Sequence, residues 1–121
     1  MISEDYVSFE TAKLLKEKGF NPLECGVYYS IETGKRTTEL LTSLIACPTL
    51  QMAMKWLREM YSLFIVIDRH YFVVDKISHI ASGFKYSIEI KPINTIYIHN
   101  NYKSYEQACE AAIKYCLENL I

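Results

Sequence analysis

Between Leu63 and Val74 the chain is almost unbroken apolar sequence: Leu63 to Ile67 and Tyr71 to Val74, parted only by Asp68-Arg69-His70. Both runs are rich in β-branched and aromatic residues, which suit a pleated, packed surface. Neither approaches the roughly 18 residues that a membrane-crossing helix requires. The spacing predicts two strands with the three polar residues as a hairpin loop. Without alternation, the runs read as central strands covered on both faces. The rest of the chain must then supply that cover.

Phe84 to Lys91 differs, with Phe84, Tyr86, Ile88 and Ile90 on one side and Lys85, Ser87, Glu89 and Lys91 on the other. That alternation predicts a strand with one wet face, at or near a sheet edge, ended by Pro92. Ile93 to His99 reads as a further strand, and Asn100 to Ser104 as a polar connection.

Three segments carry helical periodicity. The first opens at Ser8, a suitable N-cap, with Glu10 in the first turn. Phe9, Ala12 and Leu15 mark its apolar stripe. Gly19 suits the left-handed position after its end, and Phe20 and Pro22 complete a Schellman-type stop. The second begins at Pro48 or Thr49 and runs to about Tyr61, with Leu50, Ala53, Met54, Leu57 and Met60 as its stripe. Trp56, the only tryptophan, broadens that stripe. The third follows Ser104-Tyr105-Glu106-Gln107, which has the form of a capping box. Tyr105, Ala108, Cys109, Ala112, Cys116, Leu117 and Leu120 share its apolar face, joined by Ile113. Between the first two helices, Val27 to Ile31 reads as a strand and Glu32-Thr33-Gly34-Lys35 as a turn. Residues 37–46 fit a return strand with a loop after it, though Leu40, Leu41, Leu44 and Ile45 also share a helical face.

The order of elements predicts one α+β domain over residues 1–121: two layers, an antiparallel meander-like sheet and about three helices. At 121 residues a chain buries enough surface to fold without metal or disulfide. The cysteines, Cys25, Cys47, Cys109 and Cys116, form no C-x-x-C pair and read as buried free thiols. Thirteen basic against fourteen acidic residues, interleaved, leave non-specific nucleic-acid binding little to work with. The polar start lacks the pattern of a signal peptide, so the reading is cytoplasmic, without membrane attachment.

The blocks Val7-Ser8-Phe9-Glu10 to Gly19-Phe20, Cys47-Pro48-Thr49 to Trp56-Leu57-Arg58-Glu59, and Tyr105-Glu106-Gln107-Ala108 to Leu117-Glu118-Asn119-Leu120-Ile121 resemble a group of small uncharacterised proteins of gut Bacteroides-type bacteria and their phages. The likeness covers the three helical blocks, about half of the chain. It implies a short, mobile-element-borne cytoplasmic protein, and it carries no site.

Candidate chemistry is sparse. His70, His79 and His99 lack ligand spacing, and a metal site from them with Asp68 or Asp75 has only the fold to assemble it. Asp68-Arg69-His70 invites acid–base chemistry but reads first as solvated turn residues. Cys47 sits where a helix N-terminus would lower a thiol pKa, without a histidine beside it. Tyr28, Tyr29, Tyr86, Tyr97 and Tyr102, with Lys85, Lys91 and Lys103, offer the ingredients of a stacking platform for single-stranded nucleic acid, which Glu89 interrupts. P-loop, Rossmann and serine-hydrolase motifs are absent from the sequence. The expectation is therefore a non-enzymatic protein-interaction module without cofactor or metal, binding a protein partner or itself. The possible interaction surface comprises Trp56, Arg58, Glu59, Lys85 and Lys91, since Trp and Arg are favoured at interface centres. A weak single-stranded nucleic-acid adaptor is the alternative, and an enzyme of unknown reaction ranks below it.

Overall fold

Ser8, Thr49 and Ser104 each take extended backbone, and each accepts a hydrogen bond from the amide three residues on: Thr11 at 3.2 Å, Met52 at 3.1 Å and Gln107 at 3.1 Å. These caps satisfy amides that have no partner within the helix, and they start α1 (Phe9–Glu17), α2 (Leu50–Tyr61) and α3 (Tyr105–Asn119). The computed structural model describes residues 4–38, 43–73, 79–90 and 94–121. The capping box at Ser104 reaches one residue further back than the usual pattern. Gln107 Oε1 accepts from the Lys103 amide, 3.1 Å away.

The end of α1 is a Schellman motif: the Phe20 amide donates to the Leu15 carbonyl at 2.8 Å and the Gly19 amide to Lys16 at 3.1 Å. Gly19 holds φ of +100°, and a Cβ there would meet nothing within 4 Å. Gly19→Ala should therefore cost about 1 kcal/mol through backbone conformation alone, with no steric part. A urea midpoint unmoved by the substitution would contradict this.

Among the described residues, two antiparallel three-stranded sheets complete the α+β fold. The small one has the order β2-β1-β3, from β1 (Tyr28–Ser30), β2 (Arg36–Thr37) and β3 (Leu44–Ala46). A hairpin over Glu32 to Lys35 joins β1 to β2, as the sequence predicts. Thr37 and Leu44 to Ala46 are strand residues on either side of 39–42, which lie outside the described residues. A short 3₁₀ turn, Leu23–Cys25, precedes β1.

The large sheet is a meander, β4 (Leu63–Val73), β5 (His79–Ile90) and β6 (Asn94–Tyr102). It corrects three expectations. Asp68-Arg69-His70 is no hairpin loop, because β4 runs straight through it, pairing Asp68 with Lys85 and Arg69 with Phe84. Their polarity is absorbed by alternation. Asp68 falls on the outer face opposite Lys85, and the Arg69 guanidinium lies 4.9 Å from the Phe84 ring centroid. Secondly, β5 is the central strand and β4 an edge. Lys85, Ser87 and Glu89 of β5 are half-buried on the sheet face opposite the buried Tyr86 and Ile88. Lastly, β6 extends through Tyr102, where the sequence suggests a connection from Asn100.

Leu63, Tyr86 and Ile88 are buried on the side where α2 and α3 pack. α1 lies against α3 and β3. One hydrophobic cluster joins all three helices to both sheets, including Leu15, Tyr29, Leu57, Ile88, Ile113 and Leu117.

Candidate functional site

A cleft of about 640 Å³ opens where α1 begins, bounded by the small sheet and the first turns of α3. Asp5, Tyr6, Val7 and Ser8 form one wall, Tyr29 of β1 and Arg36 of β2 another, and Tyr102, Glu106, Gln107 and Glu110 the third. The volume lies within the range of small-ligand sites.

Its first wall is pinned by backbone bonds. Val7 donates to the Pro48 carbonyl at 3.0 Å, and Leu50 donates to Asp5 at 2.9 Å. Tyr29 donates its hydroxyl to the Val7 carbonyl at 2.6 Å. Burial pushes the Tyr29 pKa well above the ordinary tyrosine value, with the neighbouring Cys47 adding to it. The ring therefore serves as an apolar wall whose polar end is already bonded.

Glu110 ties the walls together. Its Oε1 accepts from the Thr11 hydroxyl at 2.6 Å and from the Ser8 amide at 3.0 Å, bringing a carboxylate to the start of α1. The second oxygen, Oε2, is buried without a hydrogen-bond partner among the described residues. A neighbouring pair, Glu10 and Lys114 at 3.0 Å, reinforces the junction at the surface. That bond, and the Lys114 charge behind it, lower the Glu10 pKa.

Arg36 stands at the rim, its guanidinium 5.3 Å from the centroid of the Tyr6 ring. It makes no ion pair among the described residues. The cleft thus gathers three carboxylates (Asp5, Glu106 and Glu110), one guanidinium and the rings of Tyr6, Tyr29 and Tyr102. Sequence reasoning picked out Tyr29 and Tyr102 for another purpose and missed the rest. Glu110 gave no signal either, since its spacing places it with Glu106, Lys114 and Glu118 on the polar side of α3.

The residues expected to form an interaction surface are dispersed. Trp56 stacks on Phe20 with centroids 4.9 Å apart and meets the Tyr61 ring edge-on at 5.2 Å, so its faces are used within the chain. Arg58 and Glu59 are exposed on α2, with Glu59 3.9 Å from Lys55. Lys85 faces the other way, on the outer side of the large sheet, and Lys91 lies outside the described residues. The stacking platform is likewise not assembled. Tyr28, Tyr29 and Tyr86 are buried, Tyr102 is half-buried, Lys103 is exposed beside it, and Tyr97 stands 68% exposed on the outer sheet face.

Cys47 is fully buried behind Tyr29, and burial pushes its thiol up to about 11. Burial likewise raises Cys109 to about 11 and Cys116 to about 12. These are protonated thiols, poor nucleophiles at neutral pH. Alkylation of the native protein at pH 8 should modify the half-buried Cys25 first and the other three only on unfolding. Simultaneous labelling of all four would refute the packing. Since each folded pKa lies above the ordinary value of 9.0, the stability these neutral thiols contribute is complete below pH 9. It is lost as pH rises through about 11 to 12.

Among the described residues, no group of three or more His, Cys, Asp and Glu side chains is placed to hold a metal ion. The His70, His79 and His99 side chains and Asp75 fall outside that description. No helix among the described residues is long and apolar enough to cross a membrane. Comparison of the chain with protein families, with curated proteins and with solved structures finds no match in any of the three.

Proposed function

We propose that this chain is a non-enzymatic protein-interaction module that receives its partner in the cleft between the start of α1 and the first turns of α3. The observation that carries the reading is the make-up of that cleft. Three tyrosines and four charged groups converge on one concavity, and the thiols beside it, Cys47 and Cys109, are buried and protonated. Aromatic walls with a few placed charges are the usual composition of a recognition site. The likeness of the helical blocks to small Bacteroides-type and phage proteins supports an origin on a mobile element.

A photo-crosslinking residue at Gln107, inside the cleft, should give one adduct of defined mass in the native host. The same residue at Tyr97, on the outer sheet face, should give none. Glu106→Lys should abolish the Gln107 adduct. An adduct of twice the chain mass would identify self-association. Equal cross-linking from both positions, or from neither, would overturn the assignment of the cleft.

A further inference from the structure

Resting on that reading, we infer that the partner presents a cationic side chain, arginine or lysine, which enters the cleft and is held between tyrosine rings and carboxylates. Four observations point the same way. Asp5, Glu106 and Glu110 outnumber the lone guanidinium of Arg36, so the concavity carries net negative charge, and its low-dielectric walls strengthen the field within. Tyr6, Tyr29 and Tyr102 supply the π faces over which an ammonium or guanidinium settles. The chain's own Arg36 already makes this kind of contact, lying 5.3 Å from the Tyr6 centroid at the rim. Finally, Asp5 and Glu106 are exposed on the cleft lining, and a guanidinium with five N–H groups is the side chain best equipped to serve two carboxylates together.

An anionic partner fits poorly. It would have to pair with Arg36 at the rim while lying against three carboxylates. A wholly apolar partner would leave those carboxylates desolvated without a counter-charge, which is costly.

The test is a titration of the isotope-labelled full chain with three capped tripeptides, acetyl-Gly-X-Gly-amide, where X is arginine, its uncharged isostere citrulline, or glutamate. The arginine peptide should move the amide resonances of Val7, Ser8, Tyr29 and Glu106. The citrulline peptide should bind at least about fivefold more weakly, the order expected for losing one charge against aromatic and acidic groups. In the double variant Asp5→Asn with Glu106→Gln, affinity for the arginine peptide should fall by about tenfold. Both carboxylates are exposed and make no bond in the core, so the denaturation midpoint should stay in place. Equal affinity for arginine and citrulline, or preference for glutamate, would overturn the cationic assignment and leave the cleft standing as the site. Binding of free 1,5-diaminopentane as tight as that of the arginine peptide would overturn the assignment to a protein side chain. Silence from all three peptides would overturn the cationic assignment too. With Gln107 cross-linking retained, that silence means the partner's chemistry was misread; with cross-linking also lost, the cleft itself falls.

Discussion

Replacing Leu57 by alanine is expected to destabilise the protein by about 3 kcal/mol, the usual cost of emptying a fully enclosed leucine site. Leu57 has no exposed surface and lies on the face of α2 that packs against β4 and α3. Its neighbours Ala53 and Met54 are anchored in regular helix, so the cavity has little freedom to collapse. For a domain of this size the loss corresponds to about 10 °C in melting temperature. Met60→Ala is the control on the same helix: its side chain is 66% exposed, and truncation should be nearly neutral. A loss below about 1 kcal/mol at Leu57 would mean that α2 packs differently from the arrangement described.

Gly83→Ala should cost about 2–3 kcal/mol for a different reason, overpacking. A Cβ at Gly83 would lie 2.5 Å from the Tyr102 carbonyl oxygen and would overlap the Asn101 side chain. Asn101 could turn aside. The Tyr102 oxygen is backbone, so relief requires β6 to shift away from β5. The site sits at an irregular point of the sheet: the β4–β5 register changes between His70 and Tyr71, and the β5–β6 register between Phe84 and Tyr86. Hydrogen exchange should locate the damage, with protection falling over Phe84 to Ile88. Gly26→Ala, where an added Cβ meets nothing within 4 Å, carries only the penalty of its positive φ. Equal effects at the two glycines would show that β6 does not approach Gly83 closely.

The helices were readable because their signals are local. Ser8, Thr49 and Ser104 cap, Gly19 stops, and the apolar stripes repeat within a few turns. The sheet was harder, since a strand's neighbours are settled by pairing across the sequence. Asp68-Arg69-His70 looked like a loop because three polar residues interrupt an apolar run. Inside a strand the same residues are accommodated once Lys85 stands opposite Asp68 and the Phe84 ring lies beside Arg69. The alternation of Phe84 to Ile90 gave the two faces of β5 correctly and misplaced the strand, because an open face and an open edge leave the same pattern. The cleft was almost wholly hidden. Asp5, Arg36 and Glu106 carry no mark distinguishing them from other surface charges, and they share a site only through the packing of α1 on α3 and the small sheet.

The clasp between α1 and α3 joins residues far apart in the chain: Thr11 to Glu110 spans 99 positions and Glu10 to Lys114 spans 104. During synthesis α1 leaves the ribosome long before its counterpart exists. A nascent chain ending ahead of Tyr105 would hold α1 with its Ser8 cap intact but without the carboxylate that completes it. At nine residues, a helix of that length is marginal in water by itself. The order of translation therefore makes α1 wait for α3, and the proposed cleft, whose third wall is α3, cannot close before that helix is made.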